Sequence, residues 1–287
     1  MTILKPEVYC ATRLDSSRAL NRNRLFFQFC SSKDIKVFEK NHYVRKMTAE
    51  GRTDKSKAVG DVRGHHGQQI HYLIWYETDD GWENVGAISG GSAVYATSVR
   101  DAFFHITKEN REKVLNGIID NTLFRLEKHE DNLASKIVSL WRKIVVKDWE
   151  GLYGVRPFGF ETFVEFAEID ANRQRVGSLY LADNWTRVGE TAGSTKNHVG
   201  KGLTGGPSTR ETVSKKIVLC KWIKPFSEPQ VCDYKSSWRG QTPEEKQLAK
   251  ARSTWRKMQM ADSMAKLKKI GVPVTADSNE TNNSTLV

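Results

Sequence analysis

Between residues 132 and 153 the apolar positions Leu133, Ile137, Leu140, Trp141 and Ile144 recur at three- and four-residue steps, and Asp148 continues the same stripe. That spacing predicts one amphipathic helix over Asn132 to Tyr153 with a single buried face. Shorter runs of strand character surround it. Leu25 to Cys30 is an aromatic run, and Ile70 to Glu77 and Trp82 to Ser89 are two strands joined by Thr78-Asp79-Asp80-Gly81, a hairpin signal. Ser32 to Tyr43 reads as a helix capped by Ser32 or Asp34. Ala93 to Ile106 reads as a strand with Arg100 and Asp101 inside it, Thr107 to Asp120 as a helix, and Thr122 to Leu126 as a strand. After the long helix come a strand at Phe158 to Glu165, a short helix at Gly177 to Asn184, and strands at Trp185 to Glu190 and Lys215 to Lys224. The run Thr242-Pro243-Glu244-Glu245 opens a last helix reaching Lys269, with a cap, a proline at its first position and acids in its first turn.

Two stretches break the pattern. Arg45 to Gln69 is rich in glycine and charge and reads as a mobile basic loop. Thr191 to Thr212 holds Gly193, Gly200, Gly202, Gly205, Gly206 and Pro207 and is expected to form a long flexible loop without regular structure. The outline is then an N-terminal segment (1–30), a folded domain (31–224) carrying the Gly-rich loop at 191–212, a basic helical extension (225–270) and a disordered tail (271–287).

Composition narrows the class. Of the 287 residues 38% are hydrophobic and 28% charged, which excludes a wholly disordered chain. No run approaches the roughly 18 apolar residues of a membrane helix, so no membrane partner is expected. Met1 to Leu20 lacks the apolar core of a secretory leader. Cys10, Cys30, Cys220 and Cys232 form no CxxC pair, which suits free thiols in a reducing, cytoplasmic setting.

Charge changes the picture more. The net +11 is not spread evenly: residues 1–193 hold 28 bases and 26 acids, whereas residues 194–270 hold 17 bases and 6 acids. Segregated positive charge is the footprint of a polyanion, because each neutralised phosphate releases counterions. Double-stranded DNA is the expected partner, with Lys196, Lys201, Arg210, Lys215, Lys216, Lys250 and Arg256 on its phosphates. The plainer alternative is a solvated face that keeps the chain soluble.

The order strand, helix, strand, short helix, strand from Thr122 to Glu190 resembles the core of N-acetyltransferase-like (GNAT) proteins. The likeness implies an α+β domain, a mixed central sheet flanked by helices. Ser178 to Gly189 is similar to that fold's tyrosine-bearing short helix and following turn, with Asn184-Trp185 in place of a Gly-Phe pair. A closer resemblance is to the DruA-like proteins associated with anti-phage defence. It is carried by Asn132-Leu133-Ala134-Ser135, Asp148-Trp149, Tyr153-Gly154, Arg156-Pro157, Glu161 to Glu165, Tyr180, Ala182, Asn184-Trp185, Val188-Gly189, Thr191 and Gly193, with Arg100-Asp101 upstream. More remote is a likeness to the Mom DNA-modification proteins of Mu-like phages, through His42-Tyr43 and the Tyr180 to Trp185 run. The likeness covers His42 to Gly193. This chain departs from it in having extra residues between Glu165 and Tyr180, and in placing Glu165 where both families tend to place aspartate.

The resemblance implies a cleft holding Tyr180, able to donate or accept a proton, with Ser135, Arg100 and Asp101. Glu161 and Glu165, four apart on a strand, share one face; if that face lines the cleft, one can serve as general base on an exocyclic amine and the other as orienter or metal ligand, and if it faces solvent neither has a role. Asn132, Asn184 and Trp185 are the candidates for contact with an extruded base. Each has a structural alternative: a core tyrosine, helix caps at Asp131 or Asn132, a buried Arg100–Asp101 ion pair, and core packing for Trp185. The Mom likeness implies iron, with His42 as ligand, although no histidine spacing is diagnostic of a metal. The loop Lys128 to Ser135 has no glycine and carries Glu130 and Asp131 where a GNAT protein seats the CoA pyrophosphate, so acetyl-CoA is not the expected donor. The expected activity is Mom-like modification of DNA, placing a small group on the N6 amine of adenine and protecting phage DNA from restriction. The alternatives are a non-catalytic DNA-binding component of a DruA-like system, and an acyltransferase acting on a small molecule or protein.

Overall fold

The computed structural model describes residues 25–40, 67–165, 168–170, 173–174, 176–191, 194–197, 209–212, 215–235, 240 and 242–272. Strands β1 (Leu25–Cys30), β2 (Gln69–Thr78), β3 (Gly81–Ser92) and β4 (Ile118–Leu126) pair antiparallel in that order. Helix α1 (Lys36–Lys40) follows β1, and α2 (Ser98–Phe103) and α3 (Arg111–Val114) lie between β3 and β4. The helix α4 (Leu133–Tyr153) then crosses over to β5 (Gly159–Glu165), which runs parallel to β4. A parallel pair requires such a crossover.

The short strands β6 (Glu168–Asp170) and β7 (Arg173–Gln174) pair with each other between Glu165 and Tyr180, where extra residues are expected. Next come α5 (Ser178–Ala182) and β8 (Thr186–Glu190), then the hairpin of β9 (Ser194–Asn197) with β10 (Thr209–Thr212). Strand β11 (Lys216–Trp222) returns between β5 and β8, antiparallel to both. The result is the mixed, helix-flanked sheet that the GNAT likeness implies, in the order β1-β2-β3-β4-β5-β11-β8.

The stripe of α4 packs on one face of this sheet, with Ile137, Val138, Trp141, Val145 and Trp149 all at 0% exposure. Asp148, on the same helix, accepts a 2.6 Å hydrogen bond from the Tyr72 hydroxyl on β2. Gly154, in the left-handed region at φ 69°, ends the helix. The other face is covered by α2 and α3 and holds Phe104, Val114, Ile118, Phe158, Val218 and Cys220.

Three expectations need correction. The stretch 93–106 contains helix α2 and no strand: Arg100 and Phe104, four apart, are both fully buried on one helical face, and that spacing outweighs the apolar run. The stretch 107–120 holds only α3 and a single 3-10 turn, Leu115–Gly117, before β4 begins at Ile118. Gly117 marks the break, since a Cβ there would sit 2.6 Å from the Phe158 ring. The Gly-rich stretch 191–212, expected to be irregular, contains the β9–β10 hairpin, whose strands are rich in β-branched threonine. The basic loop at 45–69 lies outside the described residues up to 66, as does the tail from 273.

The C-terminal helix α6 (Pro243–Lys269) starts with a capping box. Glu245 donates its N–H to Thr242 Oγ1 and Thr242 donates its own to Glu245 Oε2, both at 3.1 Å. It lies against β1, the first strand of the sheet. Phe29 donates its N–H to Ser263 Oγ at 3.2 Å, Leu267 and Val272 bury Phe26, and Trp255 meets Phe29 edge-on. An unpaired strand edge invites pairing with other chains; here the helix covers it.

Candidate functional site

Strands β4 and β5 pair at only three positions, Ile118 with Gly159, Ile119 with Phe160 and Asp120 with Glu161, and then part. At the same place β4 bulges. Asn121 pairs with Gly90 and Leu123 with Ser89, which leaves Thr122 without a partner on β3. The gap is bridged by side chains. Asn121 Nδ2 donates to the Ser89 and Leu123 carbonyls at 3.0 and 3.2 Å, and Asn121 Oδ1 accepts the Tyr180 hydroxyl at 2.6 Å. Thr162 Oγ1 reaches the Asn121 carbonyl at 3.3 Å. Tyr180 comes from α5, stands edge-on to Trp185 and belongs to the α4 side of the sheet.

On the opposite face the last ladder pair presents Asp120 and Glu161. Glu161 Oε1 accepts the Val94 N–H at 2.7 Å and its Oε2 accepts Arg100 Nη1 at 2.6 Å. Arg100, at 0% exposure, also donates to Asp101 Oδ1 and to the Val94 carbonyl, both at 2.6 Å. Arg111 completes the set through Asp101 Oδ2 at 2.8 Å. Asp120 is buried beside this cluster, and its Oδ1 has no hydrogen-bond partner. Burial first, and then the neighbouring Glu161 charge, push its pKa well up. Burial also pushes Glu161 up, to about 7, against the opposing pull of Arg100 and the Val94 N–H, so of the two carboxyls Asp120 holds its proton to the higher pH.

The residues expected at the site are therefore not all in one place. Glu161 and Glu165 do share a face of β5, aligned with Cys220 and Lys216 of β11, but Tyr180 lies on the other side of the sheet. Glu161, Arg100 and Asp101 are locked together rather than turned to a ligand. Ser135 donates back to the Asn132 carbonyl at 3.0 Å. Asn132 occupies the N-cap position of α4 in the left-handed region, φ 61°, and makes no side-chain cap. Asn184 is exposed at φ 59°, and its carbonyl accepts from Lys221. Trp185, expected to stack on a base, is 3% exposed and packs on Phe160 and Tyr180, so its ring has no free face.

Among the basic residues, Lys196 and Arg210 are register partners in the β9–β10 hairpin, Lys215 and Lys250 are exposed, and Lys216 opens β11. Arg256 is engaged by the fold, donating to the Gln69 carbonyl and Tyr153 hydroxyl at 3.1 and 2.9 Å. Lys201 and His42 lie outside the described residues. Among the described residues no group of three His, Cys, Asp or Glu side chains could hold a metal ion. No helix among them is long and apolar enough to cross a membrane.

Sequence patterning does not single out Asp120 and Asn121. A polar pair ending a short apolar run is the available signal, and the helix predicted over 107–120 absorbs it.

A family model described as Druantia protein DruA matches residues 57–209. No curated protein sequence matches the chain. Among solved structures it is similar to a domain from Methanocaldococcus jannaschii, with 8% identity, coverage of 70% of this chain and 99% of that one, and a TM-score of 0.38. It is also similar to FeeM, an N-acyl amino acid synthase from uncultured soil microbes, at 11% identity, 70% and 91% coverage and a TM-score of 0.36. A spermidine N-acetyltransferase chimera from Vibrio cholerae and hSSAT matches at 7% identity, 69% and 94% coverage and a TM-score of 0.33.

Proposed function

The chain belongs to the DruA family, and from that premise we propose that it is a group-transfer enzyme of a defence system acting on double-stranded DNA. Its reaction is Mom-like: a small group passes from its donor to an exocyclic amine, the N6 of adenine, and the product resists restriction. The observation that carries this reading is Asp120, a buried carboxyl group with one oxygen free of hydrogen bonds where two strands part.

Once it has lost its own proton to solvent, Asp120 is a strong base because of its raised pKa, and it takes the proton of the attacking amine as the new N–group bond forms. Asp120 then returns that proton to the leaving group as its bond to the donor breaks, while Tyr180, on the other side of the sheet, acts through position by holding the Asn121 carboxamide at the junction. Glu161 and Arg100 act through position, keeping Asp120 beside a fixed charge.

Support for the DNA partner comes from α6. Lys246, Lys250, Lys257 and Lys268 are all exposed, and at 3.6 residues per turn they fall within an arc of about 40° along about 33 Å of helix. The inner face is given to Arg252, Trp255, Gln259, Ser263 and Leu267.

The test is mass spectrometry of nucleosides from host DNA after expression of the chain, beside Asp120→Asn and Tyr180→Phe variants. A new nucleoside that disappears in both variants is the expected result. An unaltered nucleoside profile with folded, expressed protein would overturn the enzymatic reading. It would favour a DNA-binding component without catalysis, a reading supported by the internal engagement of Tyr180, Glu161 and Trp185.

A further inference from the structure

The buried ion cluster holds something besides itself. Glu161 and Arg100 grip the main chain of Val94 from both sides, one accepting its N–H and the other donating to its carbonyl. Buried ion networks seldom add net stability over apolar packing, so the segment they fix is informative. The residue after Val94 is Tyr95, which is 61% exposed. The Arg111 guanidinium lies 5.6 Å from the centre of its ring, and Arg111 is itself tied to Asp101. A large exposed aromatic ring is thus backed by a cation and carried on a pinned segment.

Beside the ring is an open depression of about 260 Å³, lined by Ser92, Ala93, Tyr95, Glu112, Leu115 and Asn116. Ala93 and Leu115 supply an apolar floor. Glu112 supplies an acceptor, and the half-buried Asn116 carboxamide supplies both a donor and an acceptor. An asparagine matches the N6/N7 edge of adenine in a bidentate manner, and a tyrosine face accepts the stack of any base.

We propose that this depression is a nucleobase site for adenine, with the ring stacked on Tyr95 and its amino-bearing edge turned to Asn116 and Glu112. The inference rests on the DNA-acting reading above and gives it a base-holding surface that Trp185, buried in the core, does not provide. Arg100, Glu161 and Asp101 are positioning residues for that surface.

The probe is deoxyadenosine, which carries no phosphate and so does not respond to the positive charge of the chain. Ligand-observed NMR titration of the full chain is expected to show saturable binding. Tyr95→Ala weakens it about tenfold or more, the loss of one base–aromatic stack, while Tyr95→Phe retains it. Asn116→Ala removes the preference for deoxyadenosine over thymidine. Because Tyr95 is exposed, Tyr95→Ala keeps the parent melting temperature, which separates loss of binding from loss of fold. Equal binding by Tyr95→Ala and the parent, or no saturable signal from the parent, would overturn the proposal. Binding is read without turnover, so saturable deoxyadenosine binding alongside an unaltered nucleoside profile in the cell would sink the catalytic reading alone.

Discussion

Asp120 and Glu161 stand opposite each other across a parallel ladder of three pairs, two carboxyl groups on one buried face. They are not equivalent. Both oxygens of Glu161 accept hydrogen bonds, one from a guanidinium, whereas Oδ1 of Asp120 accepts none. The pair is therefore unequal: burial raises both, but Glu161 is held by donors that favour its charge, and Asp120 keeps its proton to the higher pH.

For Asp120 the sign of the pH effect follows. Its pKa in the fold lies above the unfolded value of about 3.9, so the folded state holds the proton longer and disfavours the ionised form. Stability attached to this group is full below the unfolded pKa and is lost as pH rises through the folded one. Asp120→Asn should gain stability relative to the parent from pH 5 to pH 8 in urea titrations, while base modification falls about 100-fold or more.

Arg100→Met should be strongly destabilising, by about 3–5 kcal/mol, because it leaves Glu161 buried without its cation and Asp101 with Arg111 alone. The companion variant is Arg100→Met with Glu161→Leu, which removes both charges. Urea unfolding should place the double variant closer to the parent than Arg100→Met alone. Equal or greater loss in the double variant would mean that the hydrogen bonds to Val94, and not the charge pairing, carry the effect.

Asp148, half-buried on α4, offers a second pH test away from the site. Burial pushes its pKa up to about 6, against the opposing hydrogen bond from Tyr72. Its contribution therefore declines between about pH 4 and pH 6. Asp148→Asn, which can still accept from Tyr72, should match the parent at pH 4 and exceed it at pH 8 by up to about 3 kcal/mol. Chemical denaturation at the two pH values reads the difference.

DNA binding should respond to the outer lysines of α6 through salt. Each phosphate deprived of its lysine lowers the slope of log K against log salt by about 0.9. Lys250→Gln and Lys257→Gln together should lower it by about twice that in anisotropy titrations with a short duplex. Arg256→Gln should mainly lower stability, because its guanidinium holds Tyr153 and the β2 backbone.

What can be read in advance is whatever repeats locally. The stripe of α4, the Asp79-Asp80 hairpin and the cap of α6 are set by neighbours in sequence, and each is legible there. The segment from Ala93 to Asp120 is not, because its conformation depends on distant partners. Arg100 turns inward to meet Glu161, 61 positions away, and Gly117 is required by the ring of Phe158. The same holds at the site. Glu161 and Tyr180 are recognisable as residue types, but only the strand order reveals that the sheet runs between them and that Asp120 and Asn121 sit at the junction.

Helix α6 has one face fastened to the edge of β1 and the other given to lysines, so the two roles cannot be separated by shortening the chain. A form ending before Pro243 would lose the lysine row and, in the same cut, uncover Phe26 and strip the Phe29 N–H of its acceptor. Such a fragment would tend to self-associate, and a deletion survey would then mistake an insolubility defect for a loss of DNA affinity. Point neutralisation of the outer lysines asks the same question and leaves the strand edge covered.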